Sequence, residues 1–445
     1  MQNQYSDGSH LENNQSGNKG NHGNGSTKYY VLGMITGALA AFAVIFLTVS
    51  AVNFYRAVNT ASGSGEHSES IISFWRNSRN ENSESLQAES IINNGTEKKL
   101  EILEDTIAEY FWQDVDEKTL EDGLYRGLLD ALDDPYSVYY TSEELIALQE
   151  QTEGIYYGIG AYISQDLNTG YVQISKIIRN TPAEESDLMQ GDYIYQINGE
   201  DMQGKDSTYV VSKIKGEEGT SVVITVIREG VSEPIDISVE RRKIESPTVE
   251  YEMYDDGIAY IQITEFDLVT SGQFEEAYQR AKAEGMKGLI IDLRSNPGGN
   301  LSTVCDIARM ILPKGLIVYT EDKYGKREEY TCNGDNEIQV PLVVLTNGYS
   351  ASASEILAGA VKDYGIGKLV GTTTYGKGIV QKVINLSDGS AIKLTVSSYF
   401  TPNGNNIHKI GINPDVEVAF DAELYQQGTD NQLEKAKEVL AGMMH

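Results

Sequence analysis

Histidine is scarce in this chain: five in 445 residues, at positions 10, 22, 67, 408 and 445. Only His408 falls in sequence patterned to fold; the others lie in polar tails or a polar linker. A metal centre built from several histidines is therefore excluded, and a Ser-His-Asp triad would have to rest on His408 alone. That residue follows an Asn-Gly-Asn-Asn stretch with no aspartate-rich partner motif, and it reads as a structural or surface histidine. Cysteine is scarcer still. Cys305 and Cys332 cannot build a disulfide framework, although the sequence leaves one bridge between them open. Positive charge is short as well: 35 Lys+Arg against 66 Asp+Glu leave a formal net charge of −31. A chain so acidic repels polyanions, so nucleic acid is not expected as a partner.

What is present is ordinary for a folded protein. Hydrophobic residues make up 40% and charged residues 23%, enough apolar surface for a sizeable core. The length suits two or three domains. Residues 1–28 are rich in Asn, Gly, Ser and Gln without apolar periodicity, and are expected to form a disordered cytoplasmic tail. Val31 to Val52 carries no charged residue. As a helix it would be about 33 Å long, enough to cross a bilayer. Together with its tyrosine and arginine flanks, residues 29–55 are expected to form an uncleaved transmembrane anchor. The expected placement is a single-pass protein of the cell membrane, with the body on the extracytoplasmic side. A polar linker over 56–95 would lift that body off the membrane.

Two helical stripes follow in 96–152, one through Leu100, Leu103, Ile107, Tyr110 and Phe111, the other through Leu120, Leu124, Leu128 and Leu132. The second stops at Asp-Asp-Pro-Tyr-Ser, 133–137. These helices suit either covering the body or pairing with a second copy, so a homodimer is allowed. Residues 153–244 change to short β-branched runs with turns around one helix, a small strand-rich module. From 257 strands and helices alternate. Ile258–Phe266 reads as a strand; Thr270 with Gln273 suggests a capping box opening a helix whose stripe is Phe274, Ala277, Tyr278 and Ala281. Lys-Gly-Leu-Ile-Ile-Asp-Leu-Arg, 287–294, is a strand buried on both faces. Asp388-Gly389 marks a hairpin. The body is α/β with β-rich appendages.

Three segments carry potential chemistry. In Thr346–Gly365 a buried strand ends, turns at Asn347-Gly348, and runs through Ser350, Ser352 and Ser354 into a helix. Such a strand-turn-helix holds a hydroxyl beside backbone amides, although serines there also serve as caps. Gly371 to Lys377 matches the core of a phosphate-binding loop, but Gly378 replaces the required Ser or Thr and a strand pattern follows. The other reading is a lysine desolvated between two glycines. Asp292–Asn300 contains Pro-Gly-Gly, where amides can approach a ligand closely. Without a usable histidine, serine can still be activated by lysine. A neutral lysine near pH 7 needs a pKa about three units below 10.4, roughly 4 kcal/mol, attainable by burial.

Taken in order, Asp-Asp-Pro-Tyr-Ser, the module opening with Tyr-Gly-Ile-Gly at 157–160, Asp-Leu-Arg-Ser-Asn-Pro-Gly-Gly, Asn-Gly-Tyr-Ser-Ala-Ser-Ala-Ser-Glu-Ile, Tyr-Gly-Lys-Gly-Ile-Val-Gln and Gly-Ile-Asn-Pro-Asp resemble the carboxyl-terminal processing (tail-specific) proteases over residues 100–420. The resemblance implies a serine endopeptidase with a Ser-Lys dyad, an inserted PDZ-like (α+β) domain at 153–244, a peptidase core at 245–420 and a C-terminal helix at 421–445. By motif it implies Ser352 as nucleophile, Lys377 as base and Gln381 as the residue orienting the lysine. It also implies an oxyanion hole from the amides of Gly298 and Ala353, and a carboxylate-binding loop at Gly158, Ile159 and Gly160. Implied substrates are proteins with unstructured, apolar C-terminal tails; no cofactor or metal is implied. Where relatives carry an arginine in Lys-Ile-Arg-Gly that links PDZ module to catalytic site, this chain has Lys215, a point charge without the planar fork. The alternative is a PDZ-based binding protein or adaptor with a silent peptidase body.

Overall fold

A computed structural model describes residues 90–166 and 169–444. The expectation of a transmembrane helix, and with it single-pass membrane placement with an extracytoplasmic body, is corrected. Among the described residues no helix is long and apolar enough to cross a membrane. The longest, 17 residues, is interrupted by Glu, Lys and Asp side chains, whereas a span needs about 20 apolar residues. The segment 29–55 itself lies outside the described residues, as do the tail and most of the linker.

The N-terminal part begins with α1 (Asn94–Tyr110), capped by the Asn93 side chain, which accepts from the Gly95 and Thr96 N–H groups. α2 (Glu117–Asp130), β1 (Val138–Tyr140) and α3 (Ser142–Glu153) follow. Arg126 forks onto Glu144 at 2.8 and 2.9 Å and so ties α2 to the start of α3. Gly154, left-handed, ends α3.

The module contains β2 (Ile155–Gly158), β3 (Ala161–Gln165), β4 (Val172–Ile177), α4 (Pro182–Glu185), β5 (Tyr193–Ile197), β6 (Glu200–Asp201), α5 (Ser207–Ile214), β7 (Ser221–Ile227), β8 (Ile235–Glu240) and β9 (Arg242–Glu245). Its sheet runs β3-β4-β5-β7-β8, with β6 beside β5. Alternate residues point inward, so Val222, Ile224 and Val226 of β7 meet Ile174, Ile194 and Ile197, with Val210 and Ile214 of α5 in the same cluster. β2 and β9, the strands by which the chain enters and leaves, pair antiparallel from Ile155↔Glu245 to Gly158↔Arg242. The module therefore stands on a two-stranded stalk. Lys215 bridges from its helix side to Glu150 of α3 at 2.9 Å.

The core comprises β10 (Val249–Met253), β11 (Ile258–Ile263), α6 (Thr270–Ala283), β12 (Gly288–Asp292), α7 (Leu301–Arg309), β13 (Gly315–Asp322), β14 (Arg327–Cys332), β15 (Leu342–Thr346), α8 (Ala353–Tyr364), β16 (Lys368–Gly371), β17 (Ile379–Asn385), β18 (Ala391–Phe400), β19 (Val416–Glu417), α9 (Ala422–Gln426) and α10 (Asn431–Met443). The central sheet is ordered β10-β11-β12-β15-β16-β19 and is parallel apart from β10. One face (Ile261, Leu289, Ile291, Val344) packs in the cluster with α6, α7 and α8; the other (Ile258, Ile290, Val343, Leu345) packs with Ala436 and Leu440 of α10. Helices on both faces explain why 288–292 and 342–346 are apolar without alternation. A second sheet, β1-β18-β13-β14 with β17 on β18, carries the 388–389 hairpin.

Two local expectations differ from the structure, and one question left open is answered. The capping box at Thr270 and Gln273 is not formed. Gln273 instead reaches the neighbouring segment, accepting from the Thr248 and Val249 N–H groups and donating to the Ser246 carbonyl, a tertiary contact that outcompetes the local one. The C-terminal helix is two helices, separated at Gly428, whose φ of 89° suits glycine. Cys305 and Cys332 are both free and buried.

Candidate active site

Three neighbouring parallel strands aim their carboxyl ends at one edge of the central sheet. β12 leads into the Asp292–Asn300 turn, β15 into the serine turn and β16 into the Gly-Lys-Gly loop; register places Asp292 opposite Leu345 and Thr346 opposite Gly371. Chain topology thus gathers motifs that are 80 residues apart in sequence. The carboxyl end of a parallel sheet is where α/β folds assemble their sites.

The three serines are not equivalent. Ser350 is buried, and its hydroxyl donates to the Leu293 carbonyl at 2.8 Å while accepting from Asn347 N–H. Ser354 is buried and donates to the Asn296 carbonyl at 3.1 Å. Both are staples between loops. Ser352 is half-buried and stands at the start of α8 with φ 54° and ψ −112°, a conformation costly for a side chain with a Cβ, of order 1–3 kcal/mol. Its neighbours hold it there. Its N–H donates to Glu355 Oε2 at 3.0 Å, and its carbonyl accepts from the Tyr399 hydroxyl at 3.1 Å.

Gly298 closes one side. With φ 105°, it packs so tightly that an added Cβ would lie 2.8 Å from Ser352 Cβ and 3.0 Å from the Ala353 nitrogen. The two amides expected to form an oxyanion hole are therefore adjacent to Ser352. The Gly298 N–H, however, is donated to Asn296 Oδ1 at 2.8 Å. Asn296, fully buried, also donates to the Ile263 carbonyl, and its own carbonyl accepts from Ala351 N–H.

Lys377 lies before β17, in a loop rather than on the strand. The flanking glycines pack it down: a Cβ on Gly376 would meet Gly411 N at 2.9 Å, and one on Gly378 would meet His408 N at 2.7 Å. Burial lowers the lysine's pKa, and the like charge of Lys393 lowers it further, against the opposing pull of Asp134 and Glu355. No hydrogen bond joins Ser352 Oγ to Lys377 Nζ among the described residues. The two are joined through Glu355. Its fully buried carboxylate accepts from Ser352 N–H (3.0 Å), Lys377 N–H (2.8 Å), Gly376 N–H (2.7 Å) and Thr374 Oγ1 (2.6 Å). Gln381 donates to Thr395 Oγ1 at 3.2 Å, across the β17–β18 pair. His408 sits against Gly378, with its Nδ1 buried and without a partner among the described residues.

In the module, the Tyr-Gly-Ile-Gly loop joins β2 to β3. The Ile159 side chain is buried in the module core; its carbonyl accepts from Ala183 N–H at 2.7 Å and that of Gly160 from Ile178 N–H at 3.0 Å.

The chain matches the family model for Peptidase family S41 over 257–418, that for the PDZ domain over 173–228, and that for the Activating protease CtpB N-terminal domain over 47–144. It is 35% identical over 324 residues to the carboxy-terminal processing protease CtpB of Bacillus subtilis, covering 72% of this chain and 67% of that one. The chain belongs to peptidase family S41. To the carboxy-terminal processing protease CtpA of the same organism it is 36% identical over 309 residues, 69% of this chain and 66% of the relative. To the carboxyl-terminal-processing protease of Synechocystis it is 35% identical over 322 residues, 71% and 75%. This S41 chain is thus a serine-type C-terminal processing peptidase with a PDZ domain, as the motif order led us to expect.

Glu355 escaped the sequence reading, although Ser352 and Glu355 have capping-box spacing. Asn296 lies inside the Asp292–Asn300 motif that contains Pro-Gly-Gly, but nothing in the sequence assigned it a role. Removing the Glu355 carboxylate leaves four donors without an acceptor, each costing about 1–3 kcal/mol. Glu355→Ala is therefore expected to lose at least about 3 kcal/mol of unfolding free energy in urea and, where still folded, to lose peptidase activity at least about a hundredfold. A variant that keeps both would show that the carboxylate does not hold the two loops.

Proposed function

We propose that this peptidase uses Ser352 and Lys377 as a dyad to cut proteins near flexible, apolar C-terminal tails, which its PDZ domain captures. The observation that carries the reading is the shared Glu355 carboxylate, which binds the main chains of both residues. Neutral Lys377 takes the proton from Ser352 Oγ as that oxygen attacks the peptide carbonyl. The Ala353 N–H, at the start of α8 where unpaired helix amides converge, receives the developing oxyanion. Gly298 contributes a second donor once its bond to Asn296 yields. The proton passes from Lys377 to the leaving amine, and Lys377 then activates the water that hydrolyses the acyl-enzyme. Gln381, whose side chain donates to Thr395 Oγ1, orients the lysine in this reading.

Capture of the tail is supported by sheet order. Among the described residues β3 is an edge strand, paired only with β4, so an extended peptide can add beside it. The inward-turned carbonyls of Ile159 and Gly160 fix the loop whose Gly158, Ile159 and Gly160 backbone would receive a terminal carboxylate. The exposed apolar face of α1 and α2 (Ile102, Leu103, Leu124, Leu128) favours pairing with a second copy.

Four outcomes test these readings in the full-length chain. An unstructured polypeptide with an apolar C-terminus should be cut by the parent and by neither Ser352→Ala nor Lys377→Met. The acidic limb of kcat/KM should lie below the ordinary lysine value of about 10.4, because burial disfavours the ammonium and activity appears as it deprotonates. Cleavage by Ser352→Ala would sink the dyad. Amidating the substrate's C-terminus should raise KM at least about tenfold, since hydrogen bonds to a charged group are worth about 1.5–3 kcal/mol; an unchanged KM argues against carboxylate capture. In sedimentation, the parent should run as a dimer and Leu124→Glu/Leu128→Glu as a monomer; a monomeric parent rules the pairing out.

A further inference from the structure

The Asp-Asp-Pro-Tyr-Ser turn lies outside the segment matched by the peptidase family model, yet the fold brings it to the lysine. Lys377 Nζ lies 4.5 Å from the centroid of the Tyr136 ring, within cation–π range. The turn is fixed from several sides. Asp134 accepts from Tyr136 N–H (3.2 Å) and from the Ser137 hydroxyl (2.6 Å). The Ser137 hydroxyl oxygen accepts from Thr395 N–H (3.1 Å), the residue to which Gln381 donates. β1, immediately after the turn, pairs with β18 from Val138↔Lys393 to Tyr140↔Ala391. The Tyr136 hydroxyl lies 3.4 Å from that of Tyr375, on the lysine's own loop.

We propose that Tyr136 is a positioning residue for Lys377: its ring forms the wall of the lysine's pocket and holds the ammonium, so that the catalytic site is completed by the N-terminal part of the chain. The proposal rests on Lys377 being the base.

The groups facing Lys377 are Asp134 and Tyr136 from the turn, Glu355 from α8 and Lys393 from β18, with Tyr375 of its own loop against Tyr136 and His408 behind Gly378. Burial, with Tyr375 beside it, pushes the Tyr136 hydroxyl up to about 12, so the ring stays neutral over the working range. A neutral ring face attracts the ammonium and does not attract the neutral amine. It therefore favours the protonated lysine that forms when Ser352 gives up its proton, and opposes the lowering caused by burial and Lys393. Replacing the ring by an aliphatic group of similar bulk keeps water out and removes only that attraction. Cation–π contacts are worth about 0.5–2 kcal/mol, or roughly 0.4–1.5 pH units.

The test compares full-length parent, Tyr136→Phe and Tyr136→Leu, with Lys377→Met as reference. In Tyr136→Leu the acidic limb of kcat/KM should move to lower pH by about 0.4–1.5 units while the plateau kcat falls, because the ammonium formed as Ser352 gives up its proton is less stabilised. Tyr136→Phe, which keeps the ring, should leave the limb in place. The limb position does not depend on how much protein is folded. If Tyr136→Leu turns over too slowly, the pH dependence of Lys377 acetylation by acetic anhydride, mapped by mass spectrometry in a Ser352→Ala background, reads the same shift. A limb and labelling curve that stay put or move up in Tyr136→Leu, or that move equally in Tyr136→Phe, overturn the proposal. Cleavage by Lys377→Met overturns the dyad reading itself, and the role of Tyr136 with it.

Discussion

The buried carboxylate of Glu355 ties together two loops that leave different strands. One loop carries Ser352 and the other Lys377, and each offers the carboxylate main-chain N–H groups. A buried carboxylate is tolerated only when its lone pairs are filled, and four donors fill them here. The arrangement fixes backbones rather than side chains. It holds Ser352 in a conformation that α8 alone would not stabilise, and it anchors the lysine loop independently of where the ammonium points. The tight approach of Gly298 to Ser352 and of Gly376 and Gly378 to the 408–411 segment depends on this frame, since none of these contacts tolerates a Cβ.

The turn beside Ser352 is also joined to the PDZ stalk by hydrogen bonds from one short segment. Phe266, just past β11, donates its N–H to the Gly298 carbonyl at 2.9 Å, and two residues on Leu268 donates to the Thr152 carbonyl at 3.0 Å, at the end of α3. Between them lies Asp267, buried and pushed up to about 7 by that burial and by the neighbouring Glu265. The foot of the stalk and the glycine turn beside Ser352 therefore share a main-chain connection, and Lys215 with Glu150 spans the same junction from the PDZ side.

Much of this was legible in the chain. The period of the apolar residues marked α6 and its buried stripe; the unbroken apolar runs at 288–292 and 342–346 marked strands covered on both faces. Scarcity of histidine pointed away from a triad, and glycines around Lys377 pointed to close packing. The capping box at Thr270 failed because Gln273 found a better partner on a segment more than twenty residues earlier, which no local pattern reveals. The apolar run at 31–52 gave a membrane expectation that the described helices do not support.

The sequence by itself determined composition, element type and motif order, because these follow from local periodicity, turn chemistry and residue counts. That Ser350 and Ser354 are held by carbonyls 57 and 58 residues away, while Ser352 is not, was decided only by tertiary structure. The partners of Glu355 and the ring beneath Lys377 were decided there too. Both arise where strands distant in sequence are brought side by side, and hydrogen bonds and ring contacts of that kind leave no periodic trace in the chain.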